Sequence, residues 1–172
     1  MGHLRHRHRV LFLSFLAIAG CANMPQVESV KMSSSLHGMV HGGQQPISGA
    51  SVRVWNVSFV GDGSSAQPLG NPVTTDSDGS FDLSGSYTCP GGYAAVYVVA
   101  TGGNPGLKSG TNNSAIAEVA TLGSCNDLTT QTYIEINELT TIAALFPIAP
   151  FTTGYKSVGF NYMTDWPAFD ND

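Results

Sequence analysis

The chain has 172 residues and a formal net charge of −5, from 7 basic and 12 acidic residues. Charged residues make up 11% of the sequence, against roughly 25% in an average soluble domain. With 20 glycines and 9 prolines, this composition favours strands and turns over a long helical bundle. The acidic balance argues against a nucleic-acid-binding protein, since such proteins usually carry a basic surface.

The first twenty residues have the pattern of a secretion signal. A basic segment at 1–9 precedes an apolar segment at 10–19, which is too short to cross a bilayer as a helix. The signal ends in Ile18-Ala19-Gly20-Cys21, and this ending resembles the lipobox of bacterial lipoproteins. The resemblance implies cleavage before Cys21 and attachment of a diacylglyceryl group to its thiol, with palmitate among the acyl chains. An ordinary signal peptide with a chance cysteine is the alternative.

The residues after Cys21 suit a tether. Residues 22–35 are polar and have no sustained hydrophobic period, so we predict a signal peptide at 1–20 and a lipidated tether at 21–35. Ala22 stands in place of the aspartate that retains enteric lipoproteins in the inner membrane. This favours the outer membrane as the location. We expect a protein of the cell envelope that contacts the membrane through its lipid anchor.

Two cysteines remain once Cys21 is assigned to lipid. Cys89 and Cys125 are predicted to form a disulfide, because an oxidising compartment outside the cytoplasm permits one. A metal or redox centre is the alternative, but the pair lacks a C-x-x-C spacing and neighbouring histidines. We therefore predict no metal site and no cofactor.

Strand patterns occur along most of the remaining chain. The predicted strands lie at 36–40, 50–57, 73–75, 80–83, 93–101 and 132–136. The Asp78-Gly79 turn predicts a hairpin between the third and fourth of them, because glycine supplies the positive φ of tight turns. The continuous apolar run at 93–101 predicts a central strand that is covered on both faces.

Two segments have helical spacing. Residues 114–122 place Ile116, Val119 and Leu122 at three-residue intervals after a Ser114 cap, and Asn137 can cap a second helix at 138–146. We expect Pro147 to end that second helix. Ile142 and Leu145 are predicted to pack it against the sheet.

Together these patterns predict a mainly β fold. We expect a mainly antiparallel β-sandwich with two short auxiliary helices at 36–150 and an acidic C-terminal tail at 151–172. Eight side chains of the strands alternate or lie in apolar runs and are predicted to form the core: Val52, Val54, Phe81, Leu83, Val96, Val98, Ile134 and Ile136.

A family resemblance covers about 36–83. The residues that carry it are Gly38-x-Val40, Pro46-Ile47-x-Gly49-Ala50-x-Val52-x-Val54 and Thr75-Asp76-x-Asp78-Gly79-x-Phe81-x-Leu83. They resemble the carboxypeptidase regulatory-like domains, which have a transthyretin-like sandwich; a broader immunoglobulin-like (Ig-like) fold is the alternative. The second half is similar to uncharacterised exported bacterial proteins. Regulatory-like domains are accessory modules, so the resemblance implies a non-enzymatic scaffold or binding module.

Few residues suggest catalysis. His37 and His41 are the histidines beyond the signal, and the chain has no G-x-S-x-G or H-E-x-x-H motif. Asp82 with Glu135 would serve a glycosidase only at a defined separation, so a small envelope hydrolase is kept as the alternative function. For a binding module, an envelope glycan or protein is the expected partner. The aromatic candidates for glycan contact are Trp55, Tyr87, Tyr93 and Trp166, with core packing as the alternative for each.

Overall fold

The computed structural model describes residues 36–91, 93–128 and 132–161. Within these residues the fold is mainly β, with ten strands, one α-helix and two short 3-10 turns. In chain order the strands and the helix are β1 His37–Gly42, β2 Gln45–Pro46, β3 Ser51–Asn56, β4 Gln67–Thr74, β5 Ser80–Asp82, β6 Ala95–Thr101, β7 Ala117–Ser124, β8 Tyr133–Ile136, α1 Glu138–Ile148, β9 Thr152–Gly154 and β10 Ser157–Val158.

Two four-stranded sheets form the sandwich. The first sheet is centred on β1, which pairs antiparallel with β2 and β5 and parallel with β8. The second sheet is antiparallel throughout, in the order β4-β3-β6-β7. The register of the second sheet places Val54 opposite Val98 and Val98 opposite Ala120. The predicted antiparallel sandwich is therefore confirmed.

The core between the sheets, here called the inner core, contains all eight predicted residues. Each of them is at most 4% exposed, and they form one cluster with Leu36, Val40 and Ile47. Burial of these apolar side chains is the main favourable contribution to folding. The period-two pattern in the sequence therefore identified the correct face of the strands.

A second apolar cluster covers the opposite face of the second sheet. It joins outward-facing residues of β3, β6 and β7 to α1 and to residues 151–160, here called the outer layer. Val99 of β6 is 2% exposed on this side, while Val98 is 0% exposed on the inner side. The prediction that β6 is covered on both faces is confirmed. Because Val158 and Phe160 are buried, packing continues past the boundary that the sequence suggested at 150.

The helix predicted at 114–122 is wrong. Residues 117–124 form β7, which pairs with β6 over its full length. Val119 faces the outer layer and Ala120 faces the inner core, so consecutive residues are buried and the alternation of a strand is hidden. The three-residue spacing of Ile116, Val119 and Leu122 consequently matched a helix by chance.

The second predicted helix is present as α1. Asn137 caps it as expected: its side chain accepts from the backbone N–H of Thr140, while the Thr140 hydroxyl accepts from the backbone N–H of Asn137. This reciprocal capping satisfies two donors at the helix start. Pro147 lies in the last turn, one residue before the helix ends, and not beyond its end.

The face by which α1 packs differs from the prediction. Ile142 is 66% exposed and Leu145 is 41% exposed, whereas Ala144 and Ile148 are buried. The Thr141 hydroxyl accepts from the backbone N–H of Val119 at 2.9 Å and so holds the helix against β7. A small alanine and a hydroxyl at this contact let the helix approach the strand closely, which turns the bulkier side chains outward.

The Asp78-Gly79 turn joins two sheets and not one hairpin. Gly79 has φ +81°, as predicted, and its N–H donates to the Asp76 carbonyl at 3.0 Å. However, β4 pairs with β3 in the second sheet and β5 pairs with β1 in the first. The turn therefore carries the chain across the sandwich, and a side chain at Gly79 would meet the Val40 carbonyl.

Candidate functional site

The predicted disulfide is present. Cys89 and Cys125 are bonded, with their Cα atoms 5.8 Å apart, inside the usual range of about 4.4–6.8 Å. Both residues are buried in the inner core, and the N–H of Cys125 donates to the Ala94 carbonyl at the start of β6. The bond therefore ties the segment after β5 to the 3-10 turn after β7.

Cys21, the predicted lipid-attachment residue, lies outside the described residues, as does Trp166. In the part of the chain that the structure covers, no helix combines the length and the hydropathy needed to span a bilayer. Lipid attachment therefore stays a prediction from the sequence.

The histidines and acids considered for catalysis lie around β1. His41 Nδ1 lies 3.6 Å from a Glu135 carboxylate oxygen, and the ring of His37 meets that of Tyr133 edge-on at 5.5 Å. Asp82 on β5 and Glu135 on β8 lie on opposite sides of β1. Glu135 lines a surface cavity of about 390 Å³, and Asp82 is not among the described residues that line it.

The predicted aromatic candidates separate by burial. Tyr87 is 3% exposed and belongs to the inner core, while Tyr93 is 75% exposed. Trp55 is 8% exposed, packs in the outer layer and still lines a surface pocket. In that pocket Trp55 lies beside the charged side chains of Arg53 and Lys156.

That pocket, here called the Arg53 pocket, lies on the outer face of the second sheet beside the β9–β10 turn. It has a volume of about 180 Å³ and is lined by β-strand residues and by the turn: Ser51, Arg53, Trp55, Pro72, Val99, Thr101, Tyr155 and Lys156. Period-two alternation in β3 places Arg53 and Trp55 on the same face. The pocket therefore combines two cations with two aromatic rings.

Contacts within the chain fix the aromatic side of the pocket. The Tyr155 ring meets the Trp55 ring edge-on at 6.3 Å, and the Tyr155 backbone carbonyl accepts from the Tyr97 hydroxyl at 2.7 Å. Burial raises the pKa of Tyr97 well above its usual range, so this hydroxyl remains a donor. Lys156 Nζ lies 5.4 Å from the centre of the Tyr155 ring, in a cation–π geometry.

Arg53 gives the pocket its unsatisfied donor. Its Nε is buried and has no hydrogen-bond partner in the described chain. Buried polar groups in folded proteins are nearly always paired, so an exception calls for an explanation. The three basic residues in the described part are Arg53, Lys108 and Lys156, and two of them line this pocket. Such convergence in an acidic chain makes the pocket a candidate anion site.

A second cavity, of about 410 Å³, holds two carboxylates at one end of the sandwich. Glu138 accepts from the Gly43 N–H at 2.7 Å, while Glu118 Oε2 is buried without a partner. Burial, and secondarily the charge of Glu138, raise the pKa of Glu118 to about 7. Within the described residues no three His, Cys, Asp or Glu side chains cluster as metal ligands would.

Sequence reasoning missed both cavities. The alternation of β3 places Arg53 beside Trp55, but Tyr155 and Lys156 reach them from a segment that was predicted to be a tail. Glu118 was predicted to lie in a helix, and the helical pattern gave no indication that its side chain is buried. Comparison with known proteins adds no assignment, because no protein-family profile and no curated protein matches the chain.

Proposed function

We propose that this protein is a non-enzymatic lipoprotein of the bacterial cell envelope, whose β-sandwich is a binding module displayed from a lipid anchor at Cys21. The anchor rests on the Ile18-Ala19-Gly20-Cys21 ending of the signal. The observation that carries the binding role is the Arg53 pocket, where cations and aromatic rings converge without forming an ion pair inside the described chain. The resemblance to carboxypeptidase regulatory-like domains supports an accessory role.

The membrane attachment has a physical basis other than charge. After cleavage before Cys21 the chain would carry 4 basic and 12 acidic residues. A polybasic attraction to anionic lipids is then absent, and acyl chains supply the affinity. Residues 22–35 would link the anchor to Leu36, whose side chain is fully buried in the inner core.

Replacement of the acceptor cysteine tests the anchor. In the native host, Cys21→Ser should leave the protein unprocessed or release it from membranes, measured by fractionation and by mass spectrometry of the N-terminal peptide. Ala22→Ser is the matched control, because it keeps the thiol and should stay lipidated. An unmodified Cys21 in the mature wild-type protein would contradict the proposal. Density separation of the two membranes tests the outer-membrane location.

One observation favours the alternative, a small envelope hydrolase. Glu118 and Glu138 share a cavity, and a carboxyl with a raised pKa beside a second carboxylate is the arrangement of acid catalysis in glycosidases. The test is hydrolysis of aryl glycosides by the full chain and by Glu118→Gln. Turnover that disappears in Glu118→Gln would replace the non-enzymatic role with catalysis, and absence of turnover in the wild type would leave the binding role in place.

A further inference from the structure

We infer that the Arg53 pocket binds a saccharide that carries an oxyanion, either a carboxylate or a phosphate. This inference rests on the proposed binding function and names its ligand class. It depends on three features of the pocket: an arginine donor without a partner, a second cation at the rim, and aromatic and hydroxyl groups between them.

The arginine selects an oxyanion. A guanidinium presents a planar set of donors that matches two oxygens of a carboxylate or phosphate. Arg53 lines the pocket, and its buried Nε has no acceptor in the described chain. Among the described residues, the pocket lining contains no carboxylate that would neutralise this guanidinium, so an oxyanion in the pocket would supply the missing counter-charge.

Lys156, in the turn between β9 and β10, supplies a second positive charge to the pocket that Arg53 lines from β3. Its ammonium group lies over the Tyr155 ring and is exposed to solvent. Because lysine binds anions as a mobile point charge, it can close on the anion that the guanidinium orients. Arg53 and Lys156 therefore form a pair of cations suited to one anionic group.

The remaining lining residues suit a sugar ring. Trp55 and Tyr155 provide apolar ring surface, and the hydroxyls of Ser51 and Thr101 lie on the same lining. The volume of about 180 Å³ is below the roughly 300–1,000 Å³ of pockets that enclose drug-sized ligands. The pocket therefore fits one sugar residue, with the rest of a saccharide chain in solvent.

The charge of the whole chain excludes a long polyanion as the ligand. After cleavage before Cys21 the chain would carry 4 basic and 12 acidic residues, and two cations cannot offset the repulsion between such an acidic protein and a string of phosphates. A saccharide with one charged group per binding site avoids this repulsion. Carboxylate and phosphate share the required chemistry, so the experiment compares both.

The experiment is calorimetric titration of the full-length chain in detergent with glucuronate, glucose 6-phosphate and glucose. We expect one or both anionic sugars to bind about 10–100-fold more tightly than glucose, as charged hydrogen bonds predict. Arg53→Gln should remove this preference. Lys108→Gln, which removes an exposed cation outside the pocket, is the matched control and should retain it. The tighter of the two anionic sugars identifies carboxylate or phosphate as the recognised group.

The inference would be overturned if glucose and both anionic sugars bound with equal affinity, or if none of them bound. It would also be overturned if Arg53→Gln and Lys108→Gln lost the same amount of affinity. Circular dichroism of each variant establishes that it is folded. Lipid attachment is measured separately at Cys21 and does not depend on the pocket. A failed sugar titration would therefore overturn this ligand class and leave the proposed lipid anchor in place, whereas an unmodified Cys21 would overturn the anchor and leave the sugar preference in place.

Discussion

The two faces of the second sheet are covered in different ways. The inner face packs against another sheet, and its residues come from strands that alternate in a regular way. The outer face packs against one helix and the irregular segment at 151–160. All eight core residues predicted from the strand patterns lie in the inner core, on one sheet or the other. A regular partner leaves a periodic pattern in the sequence, whereas an irregular partner does not.

The largest expected effect on stability comes from the disulfide in the inner core. Replacing both Cys89 and Cys125 with serine should lower the free energy of unfolding by about 2–5 kcal/mol, because the unfolded chain gains freedom and buried sulfurs become polar hydroxyls. Urea unfolding monitored by fluorescence measures this loss. Thr88→Ser, an exposed neighbour, should change stability by less than about 0.5 kcal/mol. Equal urea midpoints for the double variant and wild type would contradict the prediction.

The outer layer should depend on one face of α1. Ile148 is 7% exposed and Ile142 is 66% exposed. Replacing each isoleucine with alanine removes the same atoms, so the difference in stability between the two variants measures the contribution of packing. Ile148→Ala should cost about 2–4 kcal/mol through lost burial and a cavity. Ile142→Ala should cost less than about 0.5 kcal/mol. Thermal and urea unfolding of both variants test this, and the reverse order would mean that α1 packs by its other face, as the sequence suggested.

Adjacent valines on β6 compare the two faces directly. Val98 faces the inner core and Val99 the outer layer, with exposures of 0% and 2%. Val98→Ala and Val99→Ala should each cost about 1–3 kcal/mol and should agree within about 1 kcal/mol if both layers are closely packed. Urea unfolding of the pair is the measurement. A negligible cost for Val99→Ala alone would show that the outer layer contributes little to stability.

Features that are specified by a few neighbouring residues were predicted correctly, whereas features that depend on residues far apart in sequence were not. Asn137 and the residues after it specify the start of α1 within a few positions, and Val52 with Val54 specifies a buried face within one strand. β7 was missed because its burial depends on both layers at once. The Arg53 pocket joins residues that are far apart in sequence, and only the outer layer brings Lys156 to Arg53. The alternation of β3 therefore indicates the half of the pocket that contains Arg53 and Trp55, and it gives no indication of the half that contains Tyr155 and Lys156.

The two faces also differ in the charge that they bury. The inner side holds Glu118, which is 8% exposed and has a pKa of about 7, above the value of 4.5 for a free glutamate. The raised pKa arises first from burial and then from the nearby charge of Glu138. Below pH 4.5 the carboxyl is protonated in both the folded and unfolded chains and carries no penalty. Between pH 4.5 and about 7 the unfolded chain ionises this carboxyl more readily than the folded chain does, so stability is lost as pH rises through this range.

Glu118→Gln tests this sign. The variant should match wild type near pH 4 and exceed its stability by about 1–3 kcal/mol near pH 8, since each pKa unit corresponds to about 1.4 kcal/mol. Melting temperatures measured from pH 4 to pH 8 give the comparison. Glu138→Gln should shift the wild-type loss to lower pH, because removing the neighbouring charge lowers the pKa of Glu118. Parallel profiles for wild type and Glu118→Gln would mean that Glu118 is solvated, and the inner face would then bury no charge.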